Sequence, residues 1–199
     1  MTLDLLGSIA SLLSTYLFVR LKPSAWIIGL IAIILNAYLY WDTAIYADMC
    51  LEAFYFISTC YGLFLWIKSE KKSNATKLTT LSPILWCGVF SLLAVIYTAI
   101  YFVLSQQTDS TVPHLDAFTT TLSIIAQLLL CYKVLYTWVF WFVADVCYAL
   151  LYYQKQLPFH MLLTIIYTGV AMTGYITWKR KYSKCGLVTQ ERTNFDAGL

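Results

Sequence analysis

Apolar residues fill this chain in long blocks, and polar residues mark the breaks between them. Seven blocks reach the roughly 17–25 residues a helix needs to cross a bilayer. They run over about Leu3–Val19, Ala25–Trp41, Ala44–Ile67, Ile84–Leu104, Ala117–Tyr132, Leu135–Tyr153 and Phe159–Trp178. The longest breaks are the Lys/Ser/Thr-rich Lys68–Pro83 and Ser105–Asp116. Neither could bury a core of its own. The pattern predicts an all-α integral membrane protein, with one seven-helix membrane domain over residues 1–178 and a polar tail over 179–199.

Composition agrees. The 199 residues are 60% hydrophobic and 12% charged, with a mean hydropathy of +0.70. A soluble domain carries about twice that share of charge. The charges themselves orient the chain. Of 13 Lys and Arg residues, 12 fall in breaks on one side if seven spans alternate. These are Arg20 and Lys22, then Lys68, Lys71, Lys72 and Lys77, then Lys133, then Lys179, Arg180, Lys181, Lys184 and Arg192; Lys155 alone is opposite. Lys and Arg collect in cytoplasmic loops, so the N-terminus is expected outside and the C-terminus inside an inner cell membrane. The net charge of +3 is then a topology signal and does not point to nucleic acid. The opening "MTLD" lacks the basic residues of a signal peptide, and no small-residue cleavage site follows it.

The sequence repeats itself. "YFISTCYGLFLW" (Tyr55–Trp66) and "YTGVAMTGYITW" (Tyr167–Trp178) share Y-x6-G-x3-W, which sets Tyr55 on Tyr167. The same offset also sets Trp26 on Trp138, Tyr40 on Tyr152 and Ser11 on Ser123. Spans one to three therefore correspond to spans five to seven. Span four, an odd crossing, gives both triplets one orientation. This predicts a parallel 3+1+3 arrangement of the SWEET-like kind, in which substrate binds near the midplane between the halves.

Two carboxylates lie inside spans. Asp145 is near the middle of span six, where a charge costs about 2.5–3.5 kcal/mol on insertion scales. Trp138, Trp141 and Asp145 are spaced i, i+3, i+7 and share one helix face. Trp138, less than a turn into its span, also fits interfacial anchoring. In span three, Glu52, Tyr55 and Thr59 repeat the spacing, with Asp48 one turn earlier. Gln127 and Asn36 place amides at depth, either as ligand contacts or as hydrogen bonds between helices. Acids beside tryptophans and tyrosines suit a flat cationic aromatic, which stacks on indole and satisfies a buried acid. No Lys or Arg lies within a span, so phosphorylated forms are expected to bind poorly.

Other chemistries find little support. Cys50, Cys60, Cys87, Cys131 and Cys147 fall in spans and Cys185 in the tail, none with metal-binding spacing. The two histidines, His114 and His160, lack spaced catalytic partners, and no phosphate-binding Walker sequence is present. The pattern calls for no cofactor, no metal and no catalytic residues. An enzyme or a non-transporting receptor is the reading from another class.

At these residues the chain resembles the PnuC family of vitamin transporters. "YADMCLEAFYFISTCYG" is similar to that family's Y-A-x-x-x-L-Q, aromatic run and Y-G-x-x-x-W. "LSIIAQLLLCYKVLYTWVFWFVAD" is similar to its S-I-x-A-Q-x-L-L, K and W-x-x-W-x-x-x-N/D, and "GYITW" to its closing G-Y-x-x-W. The resemblance implies the 3+1+3 fold, a homotrimer, and facilitated diffusion of nicotinamide riboside with trapping by cytoplasmic phosphorylation. Glu52 stands where the family often has glutamine, and Asp145 where riboside carriers often have asparagine. Some family members carry thiamine, also a cation, which makes it the alternative substrate. Proton coupling through either acid stays open.

Overall fold

The computed structural model describes residues 2–42, 46–71, 78–107, 112–154 and 158–196; the side chains of 2–4, 39–42, 46–50, 70–71, 158–160 and 185–196 lie outside that description. Seven helices follow one another: α1 (Thr2–Val19), α2 (Ser24–Asp42), α3 (Tyr46–Lys71), α4 (Pro83–Gln107), α5 (Pro113–Cys131), α6 (Thr137–Gln154) and α7 (Pro158–Asp196). Three of them start on a proline, whose fixed φ and missing N–H suit the first helical position.

The seven blocks and the seven helices correspond, but the ends differ. The fifth span was expected from Ala117 to Tyr132. The helix instead begins at Pro113, with Asp116 in its first turn, and stops at Cys131. Polar residues at its start hid those turns from a reading based on apolar runs. α3 runs past Ile67 to Lys71, and α7 runs unbroken past Trp178 to Asp196, because Lys, Arg, Glu and Gln are good helix formers outside the bilayer. Among the residues with described side chains, α4, α5 and Met161–Lys184 are long and apolar enough to cross a membrane, and Leu5–Val19 and Ser24–Tyr38 are shorter apolar stretches.

α1, α2 and α3 pack in sequence, as do α5, α6 and α7; α3 also lies on α5, and α1 on α7. α4 lies mainly on α5, with Trp86 also stacked on Phe140 of α6 at 6.3 Å, and buries no residue; Ile84, Val95 and Phe102 are among its exposed side chains.

The same contacts recur in both triplets, at the offset that sets Tyr55 on Tyr167. After α1, Leu21 takes a left-handed backbone (φ 57), with Leu21 N–H bonded to Phe18 O at 2.9 Å and Lys22 N–H to Leu17 O at 3.0 Å. After α5, Lys133 does the same (φ 53), with Lys133 N–H to Leu130 O at 3.1 Å and Val134 N–H to Leu129 O at 3.0 Å. Each is a reverse turn that closes the last carbonyls of a helix. A leucine and a lysine hold this conformation at a cost of about 1 kcal/mol each. Ser14 and Ala25 are joined by a side-chain bond to backbone oxygen at 2.8 Å, and the equivalent positions Ala126 and Thr137 by one at 2.6 Å with the donor on the other residue. Trp26 fills a notch at Gly62, and Trp138 a notch at Gly174; a methyl group at either glycine would overlap the indole.

A cavity between α3, α6 and their neighbours

A cavity of about 590 Å³ opens between α1, α2, α3, α5, α6 and α7, with no residue from α4. Its size falls within the ~300–1,000 Å³ usual for small-molecule sites. It brings together Asn36, Glu52, Tyr55, Thr59, Gln127, Trp138, Trp141 and Asp145, all singled out from sequence.

The two carboxylates reach it from different halves. Glu52 on α3 and Asp145 on α6 are each 8% exposed. Glu52 Oε1 accepts a hydrogen bond from Asn36 Nδ2 at 3.2 Å, across α2 and α3. Asn36 is seated close to α1 because Gly7 leaves room for its amide. Gln127 Nε2 lies 3.2 Å from Thr59 Oγ1 and 3.4 Å from Ser58 Oγ, joining α5 to α3. Both amides thus make interhelical bonds while lining the cavity, so neither of the two readings offered by sequence excludes the other.

The two tryptophans differ. Trp141 is half-buried on the cavity wall and packs against both apolar clusters of the molecule. Trp138 corrects the anchoring reading. It is 2% exposed, wedged on Gly174 and edge-to-face with Trp178 at 5.4 Å, and so has no lipid-facing surface. Its position less than a turn into α6 suggested an interface, but the end of α6 is itself covered by α7. The Trp138 and Trp26 indole N–H groups, which occupy equivalent positions at that offset, have no acceptor among the described residues.

Sequence reasoning did not mark Tyr148, Tyr152 and Tyr167 as site residues, nor the hydroxyls Ser8, Ser14, Thr15 and Thr164, which also line the cavity. The repeat held the signal for Tyr167, the counterpart of Tyr55. Tyr55 lies beside Ser123, and Tyr167 beside Ser11. Each tyrosine reaches the serine of the opposite half, and the repeat maps one pair onto the other. Asp48, Tyr40 and His160 lie outside the described side chains. His114 sits in the first turn of α5, its Nδ1 2.9 Å from the Tyr97 hydroxyl and its ring stacked on Tyr101, away from the cavity.

With concave shape, apolar walls and two acids, the cavity can hold an aromatic cation. The chain is 25% identical over 172 residues to the nicotinamide riboside transporter PnuC of Neisseria mucosa, a match covering 80% of this chain and 65% of that protein, just under two thirds of its length. It is 23% identical over 202 residues to PnuC of Escherichia coli, covering 88% and 84%. A crystal structure of the vitamin B3 transporter PnuC superposes with a TM-score of 0.72 at 23% identity, over 92% of this chain and 82% of that one, which shows a shared fold. The family model for nicotinamide mononucleotide transporters matches residues 1–180. Since only the end of the chain lies outside that match, this membrane protein belongs to the nicotinamide mononucleotide transporter family.

Proposed function

We propose that the cavity carries a cationic aromatic vitamin or vitamin precursor across the membrane, with nicotinamide riboside as the substrate. One observation carries this reading: Trp141, Glu52 and Asp145 open on one cavity, offering a π face and two acids to a pyridinium ring. The similar PnuC proteins are named for the same substrate. Transport is by facilitated diffusion, with cytoplasmic phosphorylation trapping the product, and the working unit is a homotrimer embedded in the inner membrane.

The phosphorylated mononucleotide is a poor ligand in this reading. Among the described residues no lysine or arginine lines the cavity, and two acids repel a phosphate. Like-charge juxtaposition costs several kcal/mol, so the mononucleotide should bind roughly a hundredfold or more weakly than the riboside.

The recurrence of turns, notches and cross-half hydrogen bonds at a single offset supports a parallel 3+1+3 arrangement of α1–α3 and α5–α7, with α4 as connector. Twelve of 13 basic residues on one side support an N-terminus outside and a C-terminus in the cytoplasm.

Thiamine is the second reading, favoured by the acids themselves. An amide would serve a riboside, whereas a carboxylate can also accept from an aminopyrimidine. Calorimetric titration of both vitamins against the native protein and the Asp145→Asn, Glu52→Gln double variant separates the two. If the acids tune the site for thiamine, the double change lowers the thiamine-to-riboside preference. If the riboside is the substrate, the native protein prefers it and the double variant keeps most of its affinity. Unchanged affinities for both ligands in the folded double variant would leave the acids without a binding role.

A further inference from the structure

Under the cavity floor, toward the α1–α2 and α5–α6 turns, four indoles meet. Trp26, Trp66, Trp138 and Trp178 are each at most 2% exposed. Their ring centroids lie 5.5 Å (Trp26–Trp66), 6.4 Å (Trp66–Trp178) and 5.4 Å (Trp138–Trp178) apart. Two hydrogen bonds tie the cluster across the halves. Trp66 Nε1 donates to Leu130 O at 3.3 Å, and Trp178 Nε1 donates to Phe18 O at 3.1 Å. Phe18 and Leu130 line the cavity, so the cluster begins where the cavity ends. The rings lie between the cavity and the two turns.

The two bonds are equivalent in the repeat, yet their surroundings differ. On the α3–α5 seam, Gln127 bonds Ser58 and Thr59, and Cys131 Sγ bonds Ser58 O at 3.4 Å. The Lys133 ammonium lies 4.7 Å over the Trp66 ring and 3.0 Å from Ser69 Oγ. The segment before α4 adds a strap: Thr79 N–H bonds Lys133 O at 3.1 Å, and Leu135 N–H bonds Thr79 O at 3.0 Å. On the α1–α7 seam, among the described residues, Trp178 bonds Phe18 O and Tyr167 lies beside Ser11. Leu21 stands where Lys133 does, and among the described residues no β-bridge holds its turn.

We propose that the four tryptophans form the gate at the turn end, and that it opens along the α1–α7 seam while the α3–α5 seam stays shut. The inference rests on the reading that the cavity conducts a substrate. Its test uses empty protein, so it stands or falls apart from the identity of the vitamin.

Thiol labelling from the turn-end side reads each seam. Cys131 reports on α3–α5, and Ala171→Cys, at the position in α7 that Thr59 holds in α3, reports on α1–α7; all other cysteines are replaced by serine. Trp178→Phe keeps a ring but removes one donor. It should speed labelling of the Ala171→Cys variant about tenfold, the worth of one net hydrogen bond, and leave Cys131 within twofold. Trp66→Phe should leave both within twofold, because Lys133 and the Thr79 strap still hold that seam. Independently of either tryptophan change, the Ala171→Cys variant should label faster than Cys131 with the gate otherwise unaltered. Faster labelling at Cys131, or equal labelling at both, overturns the proposal. No effect of Trp178→Phe in folded protein overturns it as well.

Discussion

Trp138 and Trp141 are neighbours on one helix face and both line the cavity, but they are held differently. Trp141 is half-buried on the cavity wall, whereas Trp138 is locked between Gly174 and Trp178. Trp141→Ala should therefore weaken ligand binding by roughly 1–3 kcal/mol, taking base–aromatic stacking as the guide, with a smaller effect on stability. Trp138→Ala should destabilise the protein by about 3–5 kcal/mol, as an emptied aromatic site does. Titration and thermal unfolding of both variants in detergent check this; equal stability losses would end the distinction. Sequence spacing put both residues on one helix face correctly, but it could not tell them apart. That difference is made by Gly174, which sits on a different helix, α7. Glu52 and Asp145 were legible as single residues because acids inside apolar blocks are conspicuous. Asn36 as the donor to Glu52 was not legible, because the bond joins two helices whose relative rotation no periodicity encodes.

Each half is built on a tryptophan from the start of its second helix pressed against a glycine of its third. Adding a methyl group tests this at the scale of the helix pair. Gly62→Ala and Gly174→Ala should each cost about 1–3 kcal/mol through overpacking, read as a lowered unfolding temperature. Gly169→Ala, on α7 with nothing within 4 Å of a new methyl, should be neutral or gain up to about 1 kcal/mol of helix propensity. A Gly174→Ala protein as stable as Gly169→Ala would remove the notch from the account. The seven elements were readable from apolar blocks, and a few aromatic matches already carried the offset at which the two tryptophan–glycine notches recur. Helix ends were the unreadable part. The first turn of α5 and the end of α7 are polar, and hydropathy does not distinguish a polar helix from a polar loop.

At the scale of the molecule, the basic residues make a claim that fusion reporters can check. A reporter after Leu199 should lie in the cytoplasm and one inserted near Asp109 outside; both on one side would rule out seven alternating spans. The four-indole cluster has an optical consequence. Neighbouring rings in the chain Trp26–Trp66–Trp178–Trp138 lie at interplanar angles of 82°, 48° and 88° within 6.4 Å of each other. At that separation their ultraviolet transitions couple, and the crossed planes make the coupling chiral. Four of the seven tryptophans thus form one exciton system with its own near-ultraviolet circular dichroism. Any spectral change on adding substrate will be dominated by that system, so it reports whether the rings have moved apart more directly than whether a ligand touches Trp141.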